Sequence, residues 1–194
     1  MGRRPSAPLP GHDTVLRIAS GRLLTALHPT DSTIRPATTD DLDAIGEIYA
    51  HHVLRGVASF ETSPPEREEW IRRFDTVVDA GLPFLAAEID GAVAGYAYCL
   101  PWRSRPAYRH TVEDSIYLAP HATGRGIGGR LLDALLTGCR DAGMRQVIAV
   151  IVDDNAQASV ALHRNRGFKE VGRLSSVGFK HGRWLDTLLL QRSL

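Results

Sequence analysis

Ala119-Pro120-His121-Ala122-Thr123-Gly124-Arg125-Gly126-Ile127-Gly128-Gly129 joins an apolar, strand-like run to a strongly amphipathic helix pattern. Glycine recurs at alternate positions 124, 126 and 128 where that helix begins. Without Cβ atoms the backbone can approach a ligand closely, and the first turn of a helix offers unpaired N–H groups to an anion. A flexible loop also uses glycine, but this placement favours a phosphate cradle.

Three kinds of phosphate ligand compete for such a loop. Gly124, Gly126 and Gly129 formally satisfy the dinucleotide pattern G-x-G-x-x-G, and Asp153 stands at a tempting distance for a ribose. In that fold, however, the glycines follow the strand at once, whereas Ala119 to Thr123 intervene here. The chain after the motif is also too short for the usual second half. A Walker A loop fails because no Gly-Lys-Ser/Thr follows. The pyrophosphate of coenzyme A remains.

Working outward, Val112 to Leu118 reads as the strand before the loop and Gly126 to Ala142 as the helix after it, with Ile127, Leu131, Leu132, Leu135 and Leu136 facing a core. Gln146 to Val152 is nearly continuous in apolar residues, which predicts an interior strand covered on both faces. Upstream, Thr33 to Ala37 reads as a strand. Leu42 to Val53 and a segment opened by Ser63-Pro64-Pro65-Glu66 read as helices, the second ended by Gly81. Pro83 to Ile89 and Val93 to Leu100 form a hairpin across Asp90-Gly91. Downstream come a helix over Ala156 to Arg166 and strands near Lys169 to Arg173 and Trp184 to Gln191. A leading hairpin with later crossovers predicts an α/β domain, of α+β type with a mixed sheet.

Residues 1–32 stand apart. Pro5, Pro8 and Pro10 beside Arg3 and Arg4 give an extended, unpackable start, and Ser20 and Gly21 interrupt a short helical pattern over Val15 to Leu27. This part reads as a poorly ordered extension. It lacks the cleavage pattern of a secretory signal. Residues 33–194 read as the single domain. The 23 basic and 22 acidic residues leave a net charge of +1, which gives no global field for nucleic acid or an anionic membrane, so neither is an expected partner. No apolar run approaches the roughly 20 residues of a membrane span. Cys99 and Cys139 have neither disulfide-framework nor zinc spacing, so no metal is expected and a reducing, cytoplasmic compartment fits.

Several further stretches carry a resemblance: Pro101-Trp102-Arg103, Ala107-Tyr108-Arg109-His110-Thr111-Val112-Glu113, Ala161-Leu162-His163, Gly167-Phe168, and Gly178-Phe179-Lys180-His181-Gly182-Arg183-Trp184. With the glycine loop, they make the chain from about Thr33 to Leu194 resemble the GNAT superfamily of acyl-CoA-dependent N-acetyltransferases. Within it, the chain is similar to the phosphinothricin / methionine sulfoximine acetyltransferase group. The family loop is Q/R-x-x-G-x-G/A, and Thr123 departs from it where Gln or Arg is usual. Arg166 is a second departure, where an apolar residue is common before Gly167. The resemblance implies a central, mixed but mostly antiparallel sheet flanked by helices, with splayed strands holding acyl-CoA, and usually a homodimer.

Acetyl transfer from a thioester to an amine needs a base for the amine, hydrogen-bond donors for the developing oxyanion, and ideally an acid for the departing thiolate. The resemblance assigns the base to Glu113 and puts His163 where the family's general acid sits. It places acetyl-CoA on the backbone of Ile116, Tyr117 and Leu118, on Gly124, Arg125, Gly126, Ile127, Gly128 and Gly129, and on Asn155. It places the amine among Phe60, Trp102, Arg103, Ser104, Arg105 and Tyr108, with Arg103 the choice for a substrate carboxylate. The expected substrate is a small amino acid or analogue of the phosphinothricin or methionine sulfoximine type. The alternatives are a different amine (a polyamine, an aminoglycoside or a protein N-terminus), a non-catalytic acyl-CoA-binding module and, more remotely, a nicotinamide-dependent oxidoreductase.

Overall fold

The computed structural model describes residues 32–194. The arm over residues 1–31, with the helical pattern at Val15 to Leu27, lies outside the described residues. Ser32, assigned above to that arm, already belongs to the first strand. The strands are β1 (Ser32–Pro36), β2 (Phe84–Ile89), β3 (Ala92–Pro101), β4 (Thr111–Leu118), β5 (Gln146–Val152), β6 (Lys169–Lys180) and β7 (Arg183–Ser193). The helices are α1 (Leu42–Arg55), α2 (Arg67–Asp79), α3 (Ile127–Asp141) and α4 (Gln157–Arg164).

The sheet order is β1-β2-β3-β4-β5-β7-β6. Five of its neighbouring pairs are antiparallel. The exception is β4–β5, which is parallel. Asp90 and Gly91, at φ 50° and 81°, turn β2 into β3 as their residue types require. Side chains alternate along β4, so Tyr117 points to the face that carries α1 and α2, where it meets Tyr49 edge-on. Leu118 points to the opposite face, towards Gly128 of α3. Leu131, Leu132 and Leu135 are fully buried, which is why α3 holds its place; each contributes about 1.5–3 kcal/mol. On the other face Trp70 of α2 packs edge-on against Tyr96 of β3.

The domain departs from the sequence expectation in three places. β6 continues to Lys180 instead of ending near Arg173. Its ladder slips between Leu174 and Gly178, with Ser176 at φ 52°, and Asp186 accepts the freed Ser176 N–H, so residues left unassigned above form a bulge inside a strand. α4 ends at Arg164, two residues early. β5 is not covered on both faces throughout, because Val150 is 36% exposed.

Gly95 of β3 marks how closely β4 and α3 approach the sheet. A Cβ there would lie 2.4 Å from Leu118 Cδ2 and 3.0 Å from the Tyr117 carbonyl oxygen. Gly95→Val should therefore overpack this layer and cost about 1–3 kcal/mol. Urea unfolding should show a lower midpoint; wild-type stability would contradict this packing.

Candidate active site

The parallel pair β4–β5 is held through Thr111–Gln146, Val112–Val147 and Glu113–Ile148, and then the strands part. Between and beside them runs a groove of ≈ 1400 Å³, lined by Ser115 to Leu118 on one strand and Ala149 to Val152 on the other. The Trp102 N–H donates to the Thr111 carbonyl and the Ala119 N–H to the Ala94 carbonyl. By the alternation of an antiparallel ladder, odd-numbered residues of β4 thus spend their main chain on β3. Ile116 and Leu118 turn theirs towards the gap. His52 of α1 already donates through Nε2 to the Leu118 carbonyl at 2.8 Å, and burial holds this histidine below its ordinary pKa. Tyr117, expected to offer its backbone, contributes its side chain instead.

At the open end of the gap stands the glycine loop. Gly124 and Gly126 adopt φ 72° and 76°, the left-handed region that other residues enter only at a cost. The Gly126 carbonyl accepts from the Arg130 N–H, so the amides of Ile127, Gly128 and Gly129 precede the helix's own hydrogen bonds. Gly124, Gly126, Gly128 and Gly129 line the groove, as does Asn155 at φ 55°. Arg125 and Ile127 do not line it, and Ile127 is a core residue. Thr123 turns its hydroxyl back to the Pro120 carbonyl at 2.9 Å. Arg166 lies over α3, donating to the Gly129 carbonyl at 3.0 Å and pairing with Asp133 at 2.8 Å.

Glu113, the last residue of β4 paired to β5, lines the groove and is half-buried. Burial and the neighbouring charge of Asp114 push its carboxyl above the ordinary range, and Arg103 opposes this. Arg103 itself lies over Trp102, its guanidinium carbon 4.9 Å from the ring centre. None of Phe60, Trp102, Arg103, Ser104, Arg105 and Tyr108 lines the groove. Phe60 serves packing instead, its ring filling the space where a Cβ on Gly178 would stand, within 2.2 Å. Lys180 Nζ donates to the Ser59 carbonyl nearby, so the loop after α1 is tied to β6.

The wall facing Glu113 comes from residues the sequence reading did not single out for the site: Tyr49, Glu61, Arg72, Arg73 and Tyr98. Arg73 bridges Glu61 at 2.8 Å and Glu69 at 2.9 Å, and its guanidinium lies over the Tyr49 and Trp70 rings. Burial raises the Tyr49 hydroxyl to about 12, so it stays protonated at neutral pH. One signal was present: Arg73 falls on the Trp70–Phe74–Val77 stripe of α2, where a charged residue needs a reason.

His163 is only 2% exposed. Its Nδ1 lies 2.7 Å from the Ser159 carbonyl oxygen and its Nε2 lies 3.0 Å from Asp114 Oδ2. Neither ring nitrogen is free to meet a thiolate, which corrects the expectation of a general acid. Among the described residues no group of three His, Cys, Asp or Glu could hold a metal ion. No described helix is long and apolar enough to cross a membrane.

The sequence profile of the acetyltransferase (GNAT) family matches residues 46–168. A phosphinothricin N-acetyltransferase of Alcaligenes faecalis is 52% identical over 84% of this chain and 82% of its own. An L-methionine sulfoximine/L-methionine sulfone acetyltransferase of Salmonella typhimurium is 38% identical over 84% of this chain and 94% of its own. A crystal structure of a GNAT superfamily phosphinothricin acetyltransferase from Sinorhizobium meliloti in complex with AcCoA superposes with a TM-score of 0.80 at 50% identity, covering 84% of this chain and 88% of that one.

The left-handed entry to α3 can be tested directly. Gly126→Ala should cost about 1–2 kcal/mol through backbone strain and weaken acetyl-CoA binding, read by calorimetry. Unchanged stability together with unchanged affinity would show that the turn does not need glycine.

Proposed function

We propose, from the premise that this chain belongs to the GNAT acetyltransferase family, that it acetylates the amino group of a small amino acid or analogue of the phosphinothricin or methionine sulfoximine type. The enzyme is an N-acetyltransferase and acetyl-CoA is its cosubstrate. The observation that carries the reading is the parting of β4 and β5 beside Glu113. The unpaired main chain of Ile116 and Leu118 suits the amides of a pantetheine arm, which can add to the sheet as a strand would. The first amides of α3 suit its pyrophosphate.

Glu113 takes a proton from the bound ammonium, leaving a neutral amine. The amine nitrogen attacks the thioester carbon, and the oxyanion meets the groove-facing N–H of β4. The C–S bond breaks as the C–N bond is completed; the surplus proton on the attacking nitrogen passes through water to the departing thiolate, which leaves as the thiol, and Glu113 returns its own proton to solvent. Both substrates are bound together, so no enzyme nucleophile is needed. The raised Glu113 pKa brings the base nearer to what deprotonating an amine requires.

The acceptor enters from the α1–α2 side. There Glu61, Glu69, Arg72 and Arg73 pair among themselves, which leaves a mixed wall instead of a uniformly acidic one. Such a wall suits a zwitterionic amino acid better than a polyamine. Arg103, close enough to act on Glu113, is the choice for the substrate carboxylate. The buried thiols of Cys99 and Cys139, 3.2 Å apart and free, suit a reducing, cytoplasmic setting. A homodimer would cover the exposed Val171, Val177, Phe179 and Trp184 of the β6–β7 edge.

Purified protein with acetyl-CoA and a panel of amines should release free thiol fastest with phosphinothricin or methionine sulfoximine. Preference for a polyamine would overturn the substrate class. Glu113→Gln should lower kcat by about 10²–10⁴-fold while acetyl-CoA affinity stays within about twofold of wild type. In the wild type, kcat/KM should fall as pH drops through the raised Glu113 pKa, because only the carboxylate is a base. Wild-type kcat in the Gln variant would remove Glu113 from the mechanism.

A further inference from the structure

The β4–β5 ladder ends at Glu113–Ile148, and the next residue of β4 is Asp114. Its side chain is 1% exposed and crosses to α4, the element that follows β5. There it meets His163, whose other ring nitrogen faces the Ser159 carbonyl one turn earlier. With Asp114 ionised, both partners of the ring, a carboxylate and a carbonyl, are acceptors. A neutral imidazole has one N–H, and the second contact would set two lone pairs against each other. The ring therefore carries both protons, and the contact is an imidazolium–carboxylate pair one residue beyond the point where the strands part.

We propose that Asp114 and His163 are positioning residues: their ion pair is the cross-tie that sets how far β4 and β5 splay, so the groove keeps its width for acetyl-CoA only while His163 is protonated. The tie stands in for the main-chain hydrogen bonds that the parted strands no longer make. It joins one wall of the groove to the helix behind the other, and both residues line the groove floor. Among the described residues Asp114 Oδ1 has no hydrogen-bond partner, so the imidazolium at Oδ2 is what compensates this buried carboxylate.

The surroundings act on the pair from every side. Cys99 stands opposite Asp114 in the β3 ladder and touches Cys139 of α3. Arg166, after α4, is a cation and opposes the charge on His163. Glu113, next in β4, points to the other face of the sheet, and Phe168 packs edge-on against the ring at 5.0 Å. Burial pulls the histidine down, but the hydrogen bond and charge of Asp114, with the Ser159 carbonyl, outweigh it and leave the ring above its ordinary value. As pH rises through that value the ring loses one proton, and one of its two contacts must break.

The proposal rests on acetyl-CoA being the ligand of this groove, so the test has one arm with the cosubstrate and one without. Calorimetry of acetyl-CoA binding to the full chain between pH 7 and 10 should show affinity falling about tenfold. Glu113→Gln should keep that fall, which excludes Glu113 as its source. Asp114→Asn should bind acetyl-CoA about five- to tenfold more weakly at pH 7, with a flat pH profile and a kcat at saturation within about threefold of wild type. Without ligand, nitrogen-15 spectra of the eight histidines should show one buried ring protonated on both nitrogens at pH 7. That measurement needs no variant, so it decides the ring state even if Asp114→Asn fails to fold. A wild-type affinity independent of pH, or no buried ring with both protons at pH 7, overturns the proposal. So does an Asp114→Asn enzyme that keeps its affinity and loses kcat, because the pair would then serve the chemical step. Failure to bind acetyl-CoA at all would overturn the cosubstrate reading and this proposal together, while the ring spectrum would still report the ion pair.

Discussion

Three residue pairs hold β4 to β5, and the groove beyond them exists because the ladder stops there. A parallel pair that continued would spend the main chain of Ile116 and Leu118 on β5 and close the sheet. Because it stops, the sheet is interrupted at its middle while its two halves stay rigid. On one side β1 to β4 are locked by antiparallel ladders and by α3; on the other, β5, β7 and β6 form a second antiparallel set. The gap is thus built into the sheet itself and walled by strands. Buried main-chain groups need partners, so a gap with unpaired strand edges is a site for an extended ligand rich in amides.

The proposed function takes its parts from along that gap. Glu113 sits at its closed end, the main chain of Ile116 and Leu118 beyond it, and the first amides of α3 at its mouth. The net charge of +1 conceals this arrangement. Glu61 and Glu69 are spent on Arg72 and Arg73, which ties together the wall on the α1–α2 side. Glu113 stays outside that network, and burial beside Asp114 raises its affinity for a proton. The helix end supplies polarity for phosphates from the backbone, which no count of charged side chains includes.

The loop from Ala119 to Gly129 and the stripe of α3 were legible because their signals are local: glycine where φ is positive, leucine at helical spacing. The Asp90-Gly91 hairpin was legible for the same reason. The parting of β4 and β5 was expected only through the family resemblance, as splayed strands, because register between strands separated by a helix leaves no mark in either one. The bulge at Ser176 escaped because its stabilising partner, Asp186, lies ten residues on. The role expected of His163 changed for a related cause: the expectation came from the resemblance, while its partner Asp114, 49 residues away, could not be read from the sequence. The α1–α2 wall was half-legible, since Arg73 on an apolar stripe was visible but its neighbours Glu61 and Tyr49 in space were not.

Amide hydrogen exchange, resolved by residue with and without acetyl-CoA, tests the parted ladder most directly. The N–H groups of Ile116 and Leu118 should become strongly protected on binding, as should those of Ile127, Gly128 and Gly129. The amides of Ser115 and Tyr117, already paired to β3, should change little. Equal protection of odd- and even-numbered residues along β4, or no change at Ile116 and Leu118, would contradict the account.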